Sequence, residues 1–300
     1  MRHEPNKPAD NQLREKEDSL VRWLRAHGSA LVGFSGGVDS AYLACVAVDA
    51  LGSANVLAVI GKSASYPEAQ WAAARDVARR FAVPVLEVNT DELADPRYAA
   101  NPTNRCYFCK SELWSRLAPI AQDRGLGCVL DGANADDLSD YRPGARAASE
   151  WGVLSPLAEL GFTKAEIREL SRLRGLPTWR QPSAPCLSSR IPYGTAVTPA
   201  RLRRVEAAEA ALRSLGIEGD LRVRYHGDLA RVELPAGDVA QWLAPDAAEQ
   251  LRAAVAGAGF ARVALDLRGF RSGSLNVLGG VRADSPDVAD DRRPNEAPAA

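Results

Sequence analysis

The chain reads as an α/β protein, a doubly wound parallel sheet followed by a smaller C-terminal α+β unit. Three observations predict this. Apolar runs at Leu31–Phe34, Val56–Ile60, Val85–Val88 and Cys128–Leu130 alternate with helix-like segments at Ala41–Leu51, Pro67–Phe81 and Ser111–Arg124. Continuous apolar runs mark strands covered on both faces. The later pattern changes to helix, two alternating strands, helix and strand. Finally, a glycine-rich stretch, Ser35-Gly36-Gly37-Val38-Asp39-Ser40, lies between the first run and its helix. In open α/β sheets that is where ligands bind.

Taken in order, Asn11 to His27 carries Leu13, Leu20, Val21 and Leu24 at roughly helical spacing, and Gly28 is a fitting stop. After these four strand runs and the three helices between them, Thr163 and Glu166 form a capping box opening a helix that ends before Gly175. Leu176 to Thr195 is long, irregular and stiffened by Pro177, Pro182, Pro185 and Pro192. Such a loop inside a compact chain is functional or a linker, and here it reads as both. Thr198 caps the next helix, with Pro199 at its first position and Gly216 as its stop. Leu221–His226 and Ala230–Leu234 alternate like a hairpin across Gly227-Asp228, before a helix near Ala247–Ala256 and a strand at Arg262–Leu267. The expected organisation is a tail over 1–10, a nucleotide domain over 11–180, a cysteine-bearing linker over 181–197, an α+β substrate or oligomerisation domain over 198–282, and an Asp/Pro/Ala-rich disordered tail over 283–300.

With 46 % apolar residues the chain has ample material for a core. A net charge of −1 supplies no general drive towards nucleic acid or membrane. No run is long and apolar enough to span a bilayer. Met1 to Asp10 is charged and proline-bearing, unlike a signal peptide, so the expected location is the cytoplasm. Five cysteines in a chain this size do not make a disulfide framework; metal-binding or reactive roles fit better.

The glycine stretch suits phosphate. Unpaired N–H groups and the positive end of the following helix point at an anion, Gly36 and Gly37 let backbone approach it, and Ser35 and Ser40 add hydroxyls. No Gly-Lys-Ser/Thr follows, so it is not a Walker A loop. Gly61-Lys62-Ser63 follows the second strand, where a nucleotide fold would put the adenosine, although such a triplet is more often a plain turn. Asp131-Gly132-Ala133-Asn134-Ala135-Asp136-Asp137 follows the fourth; carboxylates there suit Mg²⁺ beside phosphates, or form a solvated Asx-rich loop.

Cys106-Tyr107-Phe108-Cys109-Lys110 lies in an expected loop before the helix near Ser111. A single CxxC is ambiguous between half a zinc site, a redox pair, two ligands of an iron–sulfur cluster and coincidence. Cys186, in Pro182-Ser183-Ala184-Pro185-Cys186-Leu187-Ser188-Ser189-Arg190, is the remaining candidate ligand, presented by prolines and next to Arg190, which would favour thiolate. Cys45 and Cys128 sit in apolar runs and read as core thiols. Arg222 and Arg224 share one face of a strand, as solvent-facing alternation or as a phosphate site; Arg268 and Arg271 are weaker candidates for the same work.

The Ser-Gly-Gly-Val-Asp-Ser string resembles the PP-loop of ATP pyrophosphatases, which cleave ATP to AMP and pyrophosphate while adenylating a substrate. That resemblance implies that Ser35, Gly36, Gly37, Asp39 and Ser40 cradle the pyrophosphate, with Asp39 the link to Mg²⁺. Together with Arg-Cys-Tyr-Phe-Cys-Lys, the Asp131 to Asp137 loop, the Cys186 segment to Gly194, and the late Gly-Phe-Arg-Ser-Gly-Ser-Leu-Asn, the chain resembles the LarE family from Leu31 to Asn276. Those enzymes are ATP-dependent sulfur transferases that build the nickel-pincer nucleotide cofactor of lactate racemase. The resemblance implies ATP, Mg²⁺, a nucleotide substrate (pyridinium-3,5-biscarboxylic acid mononucleotide) and a homo-oligomer. It implies a sulfur donor and other nickel-pincer biosynthesis proteins as partners, and no nucleic acid or membrane. Cys186 maps onto the sulfur-bearing cysteine. In some members that sulfur is sacrificed; in others two further cysteines help hold a [4Fe–4S] cluster, and Cys106, Cys109 and Cys186 match the second kind. Ser63, Gly132, Arg190, Arg222 and Arg224 complete the implied binding set. Competing readings are a tRNA thiolase, which would call for a basic, aromatic-studded domain, an amidating synthetase, which leaves the three cysteines without a task, and a zinc-stabilised binding protein, which lacks ligands.

Overall fold

The computed structural model describes residues 7–139, 143–182 and 185–271. Helix α1 (Lys7–His27) leads into strand β1 (Ala30–Gly33), helix α2 (Val38–Leu51), β2 (Val56–Lys62), α3 (Glu68–Arg80) and β3 (Val85–Asn89). The short α4 (Pro96–Ala99) precedes α5 (Arg105–Asp123) and β4 (Cys128–Leu130). Four strands form one parallel sheet in the order β3-β2-β1-β4, so β1 is central and its carboxyl end faces the point where the strand order reverses.

Both faces of this sheet are covered, as the apolar runs require. Ala30 and Val32 of β1 point into a core with Leu20, Leu24, Tyr42 and Leu43, while Leu31 between them points into a second cluster with Trp114 and Leu117. The near-uniform apolarity of α2 follows, since Val38 and Ser40 to Ala47 are all buried. Three short helices, α6 (Pro143–Glu150), α7 (Pro156–Glu159) and α8 (Lys164–Leu173), complete the first half. The Thr163/Glu166 capping box is present at the start of α8, with Thr163 N–H donating to Glu166 Oε2 at 2.8 Å.

The second half holds α9 (Pro199–Ser214), β5 (Arg222–His226), β6 (Leu229–Glu233), α10 (Pro245–Gly257) and β7 (Arg262–Leu265). β5 and β6 form the expected antiparallel hairpin, and β7 joins β6 in parallel. The core of this unit takes in Leu202, Val205, Val223, Val232 and Phe260, but also Tyr98 from the first half and Leu187, Ile191 and Val197 from the proline-rich loop. Two sequence expectations shift. The CxxC lies in the first turns of α5, not in a loop before it, because the helix starts at Arg105 after Asn104, whose side chain makes no capping bond. The first helix begins at Lys7 rather than Asn11. Ser183, Ala184, Ser272 to Asn276 of the late motif and the tail over 283–300 lie outside the described residues.

Candidate active site

The glycine corner follows β1. Gly36 has φ of +69°, and a Cβ there would stand 2.5 Å from that of Ala74 on α3, so the position combines a left-handed backbone with close approach. Ser40 Oγ donates to Gly37 C=O at 3.2 Å and lies 3.1 Å from Ser35 Oγ, closing the turn over the amino-terminus of α2. Gly132 fits against that same terminus, where a Cβ would come 2.9 Å from the Ser40 nitrogen. A Gly36→Ala protein is expected to lose about 2–4 kcal/mol, from left-handed strain plus overpacking. Urea unfolding checks this, and ATP affinity is expected to fall in the same variant.

Asp39 is ion-paired with Lys164, the first residue of α8, and accepts from Asn134 Nδ2 at 3.4 Å. The Asp-rich loop after β4 is tied to the same place: Asp136 Oδ2 accepts from Lys164 N–H at 2.8 Å and Asp131 accepts from Ser155 Oγ at 2.7 Å. Lys164 was not among the sequence candidates. Its signal was the capping box, which fixes a helix start and with it the direction of the lysine beside it.

The strand-β2 end bridges from the corner to the cysteine loop. Tyr66 Oη and Gln70 Nε2 both donate to Ser35 C=O at 2.9 Å. Ser65 C=O in turn accepts from Leu187 N–H at 2.8 Å, so the residue after Cys186 is hydrogen-bonded to the residue before Tyr66. Ser63, expected near the adenosine, points its hydroxyl at Ser65 (3.0 Å) and at buried Glu92 (2.8 Å).

Asn101, fully buried with φ of +59°, holds the cysteine loop from the other side. Its Nδ2 donates to the carbonyls of Ile191, Pro192 and Thr195 at 3.2, 2.8 and 2.9 Å. Arg190 corrects the sequence reading of a thiolate partner. Its guanidinium is bidentate to Glu209 (2.9 and 3.0 Å) and caps the carbonyls of Pro185 and Cys186 at 2.6 and 3.0 Å, so it fixes the loop's shape. Arg222 and Arg224 are 4 % and 5 % exposed, which overturns solvent-facing alternation. Arg224 pairs with Glu233 at 2.8 Å and donates to Ser189 C=O at 3.0 Å, next to the cysteine loop. Burial, with Arg190 nearby, pulls Arg222 down to about 10.

Three thiols share this neighbourhood. Cys109 packs on the second core; burial first, then the Glu92 carboxylate and the sulfurs of Cys186 and Cys106, push its pKa well up, against Lys110. Cys106 is exposed and Cys186 half-buried. Among the described residues no group of three or more His, Cys, Asp or Glu side chains is disposed to hold a metal ion, so the three are not a preformed single-ion site. Cys109 lies within electrostatic reach of both Cys186 and Cys106, and cysteine sulfur is the usual ligand of an iron–sulfur cluster.

Comparison with known proteins accords with this geometry. A family profile described as NAD synthase matches residues 13–117. An uncharacterized protein of Synechocystis is 45 % identical over 264 residues, spanning 88 % of this chain and 98 % of that one. Pyridinium-3,5-bisthiocarboxylic acid mononucleotide synthase of Lactiplantibacillus plantarum is 38 % identical over 264 residues, spanning 88 % of this chain and 95 % of that enzyme. An NH₃-dependent NAD⁺ synthetase of Methanococcoides burtonii is 30 % identical over 157 residues, 49 % of this chain. Likeness to the NAD synthetase stops short of the whole chain, whereas likeness to the sulfur enzyme runs through the cysteine loop and the second sheet. The chain therefore belongs to the LarE family of PP-loop enzymes, the ATP-dependent sulfurtransferases.

Proposed function

We propose that the protein adenylates the carboxylate of pyridinium-3,5-biscarboxylic acid mononucleotide and replaces one carboxylate oxygen by sulfur, in nickel-pincer nucleotide biosynthesis. The observation that supports this reading is the pair of links Leu187 N–H to Ser65 C=O and Tyr66 Oη to Ser35 C=O, which tie the backbone next to Cys186 to the segment bonded to the glycine corner. A carboxylate is a poor electrophile because oxide would have to leave. Its oxygen attacks the α-phosphorus of ATP and pyrophosphate departs; sulfur then attacks the acyl carbon and AMP departs, leaving a thiocarboxylate.

In this reading the N–H groups at Gly36, Gly37 and the first turn of α2, with the Ser35 and Ser40 hydroxyls, bind the pyrophosphate. Asp39 would anchor Mg²⁺, and Lys164, paired with Asp39 here, would be the cation available to the phosphate. Gly132 lets the acidic loop close on the corner, Ser63 borders the adenosine, and Arg222 and Arg224 face the substrate's phosphate. Cys106, Cys109 and Cys186 would hold a [4Fe–4S] cluster, which would supply a carrier for the transferred sulfur. The alternative is that Cys186 gives up its own sulfur by Cβ–S cleavage, leaving dehydroalanine.

Incubation of the anaerobically purified protein with ATP, Mg²⁺ and the dicarboxylate mononucleotide tests this. Pyrophosphate and a thiocarboxylate product are expected together, and release of pyrophosphate without sulfur in the product would reject the proposal. Intact mass separates the modes: it is unchanged after turnover with a cluster, and lower by one hydrogen sulfide with sacrifice. A Lys164→Met variant is expected to release pyrophosphate about 10–100-fold more slowly, the worth of one charge-assisted bond. Wild-type rates in that variant would remove Lys164 from the site.

A further inference from the structure

Arg105, the first residue of α5, is 5 % exposed, and among the described residues no carboxylate pairs with it. The other buried arginines near the cysteine loop differ: Arg190 has Glu209 and Arg224 has Glu233. Arg105 donates through Nη1 to Asn101 Oδ1 at 2.5 Å, and its buried Nε has no hydrogen-bond partner. Its guanidinium lies over the Tyr193 ring at 5.1 Å. Asn101 is itself fixed by three carbonyls of the cysteine loop, so the guanidinium is pinned in place. A buried cation without an anion is strongly unfavourable, and it is kept where an anion comes and goes.

The surroundings say what kind of anion. The sulfurs of Cys186 and Cys106 both lie in electrostatic reach of Arg105: burial lowers its pKa, and those two thiols with Tyr193 and Tyr98 outweigh that and raise it. The positive end of α5 adds to the same potential; the Asn104 side chain makes no capping bond there, while the N–H groups of Arg105 and Tyr107 are taken by the carbonyls of Pro102 and Asn104. So deep a position takes an end group or a small free ion rather than a polyphosphate.

We propose that Arg105 and the first turn of α5 form a binding site for a small monoanion used in the sulfur-transfer step, either hydrosulfide arriving as sulfur or the reacting carboxylate of the nucleotide. The proposal rests on the reading of Cys186 as the sulfur centre. It makes Arg105 the residue that receives the anion.

The test is the melting temperature of the full chain, kept anaerobic and free of halide, titrated with sodium hydrosulfide and separately with pyridine-3-carboxylate. The wild-type protein is expected to gain stability in a saturable way with at least one of them. Arg105→Lys keeps a weaker response. Arg105→Met shows none; because it also loses the bond to Asn101 Oδ1, its anion-free melting temperature is the baseline and the anion-dependent shift is the readout. A response to hydrosulfide alone assigns the site to incoming sulfur, and a response to the carboxylate alone assigns it to substrate. An unchanged response in Arg105→Met, or no response in wild type, would each overturn the proposal. If Cys186→Ser still forms thiocarboxylate while the Arg105-dependent shift persists, the sulfur reading fails and the anion site stands.

Discussion

Replacing Cys186 by serine is expected to abolish thiocarboxylate formation, by on the order of 10⁴-fold or more, while pyrophosphate release stays within a few-fold of wild type. On the proposed reading the two halves of the reaction separate, because the side chain lost would carry the sulfur, whereas the glycine corner proposed to bind ATP is built from other elements. Folding is expected to survive. Serine keeps the backbone carbonyl that Arg190 caps and the neighbouring Leu187 N–H that reaches Ser65, and the half-buried thiol is not part of a close-packed core. Coupled assays of pyrophosphate and of the sulfur-containing product, with a melting curve as control, decide it. Undiminished thiocarboxylate in this variant would mean that sulfur reaches the substrate by another route.

Asp39→Asn is expected to have the opposite signature. Pyrophosphate release falls by about 10²–10³-fold, the usual cost of removing one preorganised charge from a phosphoryl-transfer site, and sulfur transfer falls in parallel because no adenylate forms. The variant also leaves the Lys164 ammonium without its carboxylate partner. Apparent affinity for ATP in the absence of metal is therefore expected to hold or improve, since the freed lysine is available to phosphate, while the Mg²⁺ dependence of the rate weakens. Measuring the rate against Mg²⁺ at saturating ATP checks this. An Asp39→Asn enzyme with wild-type Mg²⁺ dependence would place the metal on other carboxylates.

Local signals carried most of the fold. Strand β4 is where the apolar run put it, at Cys128–Leu130, and α9 opens on the Thr198 cap and Pro199 that mark it. The glycine corner was legible because conformation and chemistry coincide in six consecutive residues. What escaped depends on partners far along the chain. Arg190 looked like a thiolate neighbour because it is four residues from Cys186, yet Glu209, nineteen residues on, claims its guanidinium. Asn101 gives no sign in sequence that it will take a left-handed backbone and hold three carbonyls some ninety residues later. Arg105 stands in sequence only as the first residue of the Arg-Cys-Tyr-Phe-Cys-Lys stretch, and its burial without a carboxylate is what sets it apart.

Tyr98, Leu93 and Phe108 precede most of the first sheet's last strand in sequence, yet they pack with Leu187, Val223 and Trp242 of the later half. The boundary drawn along the chain is therefore not a seam in space. A gene cut near residue 180, or a chimera joined there between two relatives, would strip a large aromatic surface bare on one fragment and leave a hollow in the other. A substitution on one side of this shared core is therefore felt by the residues packed on the other.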